Sequence, residues 1–268
     1  MVKKILISGV KEFSAGKTTV ARALIRYFND KSQSVSGFKP RSGNNIWYHW
    51  KLIRKGLKRG TVYSKDAKLM SREMNEKISI NLLNPVHRLW TTTSETSTWN
   101  SLPNFLLDRI TIDTQQYVLL NKQQDFPVKK KLFKKLFKQS KIIEIRTRED
   151  LQEYSGLYTN ATAQAHKILS EKFDNLVLES YSNIAVPFEK ISGLDYVLIA
   201  HPFKIEVYNG ERYLQALELL STLPVEQNTD HILESIKAIK TISVTPFESE
   251  IIKRTKMLLK PYLDEILE

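Results

Sequence analysis

The apolar positions of this chain fall into short continuous runs separated by stretches with helical spacing. Lys4–Ser8, Val35–Phe38, Leu176–Glu179, Tyr196–Ala200 and Thr241–Thr245 are brief and largely apolar, the pattern of strands buried on both faces. Between them, apolar residues recur every three or four positions, as on the inner face of an amphipathic helix. This spacing predicts helices over Thr18–Asn29, Lys65–Met74, Ala161–Lys172, Glu211–Leu220, Thr229–Lys240 and Glu248–Leu259. In the first of these, Val20, Ala21, Ala23, Leu24, Ile25 and Phe28 lie largely on one face. Strands alternating with helices predict an α/β fold: one mainly parallel central sheet with helices on both faces.

The middle third departs from this alternation. Thr91–Thr98 is rich in Ser and Thr and reads as a loop, whereas Ile110–Asp113 and Tyr117–Leu120 pair as a hairpin across residues 114–116. Residues 91–150 therefore read as an insertion or cap on a single domain spanning 1–268. No internal repeat is visible.

Composition narrows the setting. At 268 residues and 41% hydrophobic content the chain can bury a substantial core. No run approaches the roughly 18 apolar residues of a membrane span. The first residues enter a strand at once, so no signal peptide is expected. Zero Cys excludes disulfides and thiolate metal sites, and the five His lack ligand spacing; a cytoplasmic location is the expectation. The net charge of +12 is uneven, for the run from Lys129 to Lys141 (KKKLFKKLFKQSK) carries seven Lys and no acid. Leu132, Phe133, Leu136 and Phe137 make it a basic amphipathic helix. Two uses stay open: a helix packed by its Leu/Phe stripe with a solvated Lys face, or a surface for nucleic acid or an anionic membrane.

The chemistry concentrates near the start. A predicted strand, the loop Gly9-Val-Lys-Glu-Phe-Ser-Ala-Gly16 and a helix opening Lys17-Thr18-Thr19 form the arrangement of a phosphate cradle. Backbone N–H groups of Glu12, Phe13, Ser14, Ala15, Gly16, Lys17, Thr18 and Thr19 would face a nucleotide's phosphates. Lys17 would reach the β/γ-phosphates and Thr18 would hold Mg²⁺. Six residues separate Gly9 from Gly16, where the plain P-loop has four. Glu179 ends the run DNLVLE at the C-terminal tip of a strand, where open α/β sheets place ligands; it reads as a metal ligand or as a polar strand end. Lys39 follows another strand in GFKPRSG, placed either to stabilise a transferring phosphoryl group or to face solvent in a turn. Asp66 opens the helix in SKDAKLM, where an acid also suits the first turn for its own sake.

Together these segments resemble the dethiobiotin synthetase-like branch of the P-loop ATPases, a wider class that also holds the cobyrinic acid amidases and the chromosome-partitioning ATPases. The likeness rests on SGVKEFSAGKTT, GFKPRSG, SKDAKLM, LLNPVHRL (Leu82 to Leu89) and DNLVLESYSNIAVP (Asp174 to Pro187), in that family's order. It covers residues 1–90 and 174–202. The resemblance implies a three-layer P-loop fold that binds ATP and Mg²⁺ and performs phosphoryl transfer, ATP hydrolysis or ATP-dependent ligation on a small-molecule acceptor. It implies phosphate binding by Lys17 and Thr18, metal ligation by Thr18, Asp66 and Glu179, and a substrate and phosphate role for Lys39. It also implies substrate contacts at Ser42 and Tyr181, and a homodimer in which Lys11 would reach a nucleotide. The family's Gly-rich stretch after the Glu reads Ser180-Tyr-Ser-Asn183 here. That change remakes the small-molecule pocket, because glycines permit close backbone approach and Tyr181 does not. A nucleotide-switched binding protein using the basic run is the alternative reading.

Overall fold

The structure, a computed structural model, describes residues 2–11, 15–91, 102–220 and 226–267. Its strands are β1 (Lys3–Gly9), β2 (Val35–Phe38), β3 (Arg41–Asn45), β4 (Val86–Trp90), β5 (Leu107–Ile112), β6 (Gln115–Asn121), β7 (Ser140–Ile145), β8 (Asn175–Glu179), β9 (Tyr196–His201), β10 (Lys204–Asn209) and β11 (Lys240–Ser243). Helices α1 (Lys17–Asp30), α2 (Trp50–Leu57), α3 (Lys65–Ser71), α4 (Ile80–Leu83) and α5 (Lys134–Lys138) come first along the chain. They are followed by α6 (Arg148–Glu153), α7 (Ser155–Lys172), α8 (Gly210–Leu220), α9 (Thr229–Leu233) and α10 (Ile251–Leu267). The fold is mixed α/β with two mixed sheets and helices on both sides. Among the described residues no helix is long and apolar enough to cross a membrane.

The chain divides into two compact units: Met1–Lys39 with Leu69–Lys77 and Lys167–Glu268, and Pro40–Lys68 with Ile78–His166. The second unit is wider than the segment 91–150 that the sequence pattern sets apart.

In the first unit the sheet runs β11-β10-β9-β1-β8-β2. β1 lies parallel to both β8 and β9, and β2 parallel to β8. The central strands are apolar along their middle because both of their faces are covered: Ile5, Leu6, Ile7, Leu176, Val177 and Leu178 are fully buried. Helix α1 packs its predicted stripe over β1, β2 and β8, with α10 against it; α8 covers β9 and β10. Two departures from the expected parallel sheet occur at its edge. β10 returns antiparallel to β9 through Pro202 and Phe203, and β11 pairs antiparallel with β10. The predicted helix over Thr229–Lys240 ends at Leu233. The Ile239 N–H instead bonds the Val207 carbonyl at 2.7 Å, and the following residues continue that ladder.

The second unit has a sheet of its own, in the order β3-β4-β5-β6-β7, which the sequence pattern did not disclose beyond one hairpin. That hairpin forms, β5 with β6, but its turn is Asp113-Thr114, with Asp113 at φ 52°. Alternation along β6 sends Val118 and Leu120 to one face and Leu119 to the other. The first face packs with Ile53, Leu57, Phe133 and Leu136; the second packs with Phe105, Ile110, Ile145 and Ala161. The basic run is therefore a 3-10 turn (Lys130–Phe133) followed by α5, with Phe133 and Leu136 in the core, Phe137 packed against it and Leu132 exposed. It stops at Gln139, where β7 begins.

Candidate functional site

The site of the first unit is built where three parallel strands end. β1 ends at Gly9, and the chain passes through Lys11, Ala15 and Gly16 into α1; Glu12, Phe13 and Ser14 lie outside the described residues. A glycine fits position 9 closely: a Cβ there would stand 3.1 Å from Ala15 Cβ and 3.2 Å from the Ala200 carbonyl oxygen, so neighbours would have to shift by a few tenths of an ångström. Gly16 caps α1 with φ 91°, a left-handed conformation that side chains disfavour. The opening turn of α1 carries no acidic side chain and Gly16 offers no side-chain cap. A helix start of this kind, with its dipole and no acidic side chain to occupy it, is the ordinary setting of an anion site.

Lys17, the first residue of α1, is buried. Its ammonium donates to the Ser182 carbonyl and, at 3.3 Å, to the Lys11 carbonyl. Thr18 donates its hydroxyl to Glu179 Oε1 at 2.9 Å. From the end of β2, Lys39 reaches the same oxygen at 2.8 Å and the Ser180 carbonyl at 2.7 Å. Lys39 and Glu179 are 2% and 1% exposed, so this is a buried ion pair at the tips of adjacent parallel strands. Thr18, Lys39 and Glu179, singled out in the sequence and supplied by α1, the residue after β2 and β8, are therefore joined through one carboxylate oxygen. Lys17 lies beside them, held by the carbonyl of Ser182 in the turn after β8. Thr19 is half-buried on α1 and Lys11 exposes its side chain.

The turn after β8 forms the facing wall. Ser180 donates to the Ile184 carbonyl at 2.6 Å, and Ser8 donates to the same carbonyl at 2.9 Å. Thr229 donates to the Asn183 carbonyl at 2.8 Å and lies 2.8 Å from the Ser8 hydroxyl. Ser182, at φ 49°, turns its carbonyl toward Lys17. These contributions of Ser8, Ser180, Ser182 and Thr229 escaped the sequence reading. Backbone carbonyls leave no trace in residue identity, and the lost glycines were the one local signal. Tyr181 is half-buried, and its hydroxyl donates to Glu226.

Asp66 and Ser42 belong to the second unit. Asp66 sits in the first turn of α3, half-buried. Ser42, on β3, donates to Asn84 Oδ1 at 3.0 Å and lies 2.9 Å from Nδ1 of the fully buried His87. Desolvation, with help from the positive charges of Arg109 and His49, holds His87 well below the ordinary histidine value near 6.5. Neutral His87 with its proton on Nδ1 can then donate to Ser42. Arg109 is the largest buried side chain here, and sequence reasoning missed it. It donates to the carbonyls of Val62 (3.0 Å), Pro85 (2.8 Å) and Asn84 (2.6 Å), fixing the approach to β4; burial pushes its pKa down to about 9.

Among the described residues no group of three or more His, Cys, Asp or Glu is gathered as a metal cage. The oxygen pair of Thr18 and Glu179 is nonetheless the hard donor chemistry that Mg²⁺ accepts when waters and phosphates complete its shell. Neither a protein-family model nor a curated protein matches this chain.

Proposed function

We propose that the first unit binds a nucleoside triphosphate, ATP by the family resemblance, with Mg²⁺. In this reading the chain is a P-loop NTPase akin to the dethiobiotin synthetase-like branch, catalysing phosphoryl transfer or hydrolysis. The observation that carries it is the convergence of Thr18 and Lys39 on one oxygen of Glu179 beside the Gly16-led start of α1. A carboxylate, a hydroxyl and two ammonium groups are the parts that phosphoryl transfer asks of a protein, since its catalysis is mostly positioning and charge stabilisation.

The N–H groups of Gly16, Lys17 and Thr18 would hold phosphate oxygens, and Lys17 would leave its carbonyl partners for them. Mg²⁺ would supply charge neutralisation between the phosphates. Thr18 and Glu179 would hold it, directly or through water. Lys39, at the end of β2, would stabilise charge on the transferred group. The replacement of the family's Gly-rich stretch by Ser180-Tyr-Ser-Asn183 favours an acceptor other than the family's own substrate, or water itself.

Calorimetry tests the reading. With Mg²⁺ present, the wild-type chain is expected to bind ATP, and Lys17→Ala to weaken binding by about two orders of magnitude or more, in line with a charge-assisted phosphate interaction in a partly dry site. Unchanged affinity in Lys17→Ala would remove the phosphate cradle. Glu179→Gln is expected to impair Mg²⁺-dependent turnover more than nucleotide binding.

A further inference from the structure

The net charge of +12 has a location. Residues 47–59 carry Lys51, Arg54, Lys55, Lys58 and Arg59 without an acid, and the seven Lys of 129–141 also lack one. The 29 Lys and Arg left elsewhere equal the 29 Asp and Glu of the chain, so these two segments hold the whole excess. They are far apart in sequence, yet the second unit packs α2 against the 3-10 turn that precedes α5. Between them runs a groove of about 670 Å³. Its walls are Arg54, Lys58, Lys131, Lys134, Lys135 and Lys138, and Leu57, Leu132 and Gln139 complete the lining. All six cations are exposed, and none enters an ion pair among the described residues. At the other end of α2, about 10 Å away along the helix axis at 1.5 Å per residue, Trp47 and Tyr48 stand 78% and 75% exposed.

We propose that this groove binds single-stranded nucleic acid. A cationic track with an apolar floor follows a phosphodiester backbone, and exposed aromatic rings at the far end of α2 would supply faces on which unpaired bases stack. A membrane surface fits less well, because Phe133 and Leu136, the residues that would enter a bilayer, are sealed in the core and the charged face is concave. An acidic polypeptide would match the charge but would leave Trp47 and Tyr48 without a role. The site lies in the second unit and does not depend on the nucleotide reading of the first.

Fluorescence anisotropy of the full chain with a labelled oligouridylate or oligothymidylate of about a dozen nucleotides is the test. The expected result is binding that weakens as salt rises. The charge-reversed Lys58→Glu/Lys131→Glu/Lys135→Glu variant should bind at least about tenfold more weakly. Its log–log salt slope should be shallower by about 2, since each single-strand phosphate that is no longer neutralised removes roughly 0.7 from the slope. Trp47→Ala/Tyr48→Ala should weaken binding about tenfold or more through stacking while keeping the salt slope. Circular dichroism of both variants, unchanged from wild type, keeps these comparisons interpretable. Binding equal in the wild type and the charge-reversed variant overturns the proposal. So does poly-glutamate or a phosphatidylserine vesicle that binds as tightly as the oligonucleotide while Trp47→Ala/Tyr48→Ala has no effect.

Discussion

Lys39 and Glu179 place an ammonium and a carboxylate 2.8 Å apart with almost no access to water. Desolvating two such charges offsets most of their attraction, so the pair contributes little net stability; removal of one partner, however, strands a buried charge. Lys39→Met is therefore expected to destabilise the protein by about 3 kcal/mol or more. Lys39→Met/Glu179→Gln should recover a good part of that loss. Urea unfolding of the two single variants and the double variant checks it, and strictly additive losses would contradict the pairing. His87 makes a second residue-scale expectation, this time of pH. Its folded pKa is depressed, so the unfolded chain takes up the proton first and stability must rise with pH in the interval between the two values. As pH falls below about 6.5, wild type should lose stability at up to about 1.4 kcal/mol per pH unit. His201 is shifted in the same direction and adds a smaller slope of its own. The slope difference between wild type and His87→Gln from pH 7 to pH 5 isolates the buried imidazole, and identical slopes would refute its assignment.

Elements show where side-chain pattern governs and where pairing overrides it. In the basic run the pattern governs: Phe133 and Leu136 are fully buried while the lysines around them stay in solvent. Phe133 packs between Phe126 and Phe137, with ring centroids 4.9 Å and 5.8 Å away. Phe133→Ala should cost about 3–5 kcal/mol. Lys134→Ala, one position on, should stay within about 0.5 kcal/mol of wild type. Thermal or urea unfolding of the pair checks this, and equal effects would mean that the stripe is not core. The strands β1, β2, β8 and β9 were legible for the same reason: burial on both faces leaves continuous apolar runs. β10 was not, because its partner is reached through Pro202-Phe203 with Phe203 at φ 67°, a tight turn that carries no Gly or Asn to announce it. β3 (RSGNN) lacks an apolar run altogether, and it is held to β4 by its backbone ladder and by the polar pair of Ser42 with His87. At the site, Lys17, Thr18, Lys39 and Glu179 could be read from motif and strand position. The carbonyls of Ser180 and Ser182 that hold the two lysines could not, since every residue type carries the same carbonyl.

At the scale of the whole molecule, charge and hydrophobic burial divide the chain differently from sequence order. The second unit is assembled from two stretches, 40–68 and 78–166, and takes in both charged segments. Its sheet is covered by a cluster on each face: one around Phe133 and Leu136, the other around Phe105 and Ile110. Every residue of both clusters comes from this unit. Its buried Arg109 is satisfied internally as well, by carbonyls of Val62, Asn84 and Pro85. A unit with its own two-sided core and a buried guanidinium satisfied from within meets the main physical condition for independent folding. A chain spanning 40–166 is therefore expected to unfold in urea as one sigmoidal transition, with a slope of about 1–3 kcal/mol per M, as for small domains. Phe133→Ala should shift that midpoint downward as it does in the full chain, because the cavity it creates lies wholly within the fragment's own core. A broad, non-cooperative transition, or a midpoint indifferent to Phe133→Ala, would show that the clusters on the two sheet faces do not suffice to fold this unit on its own.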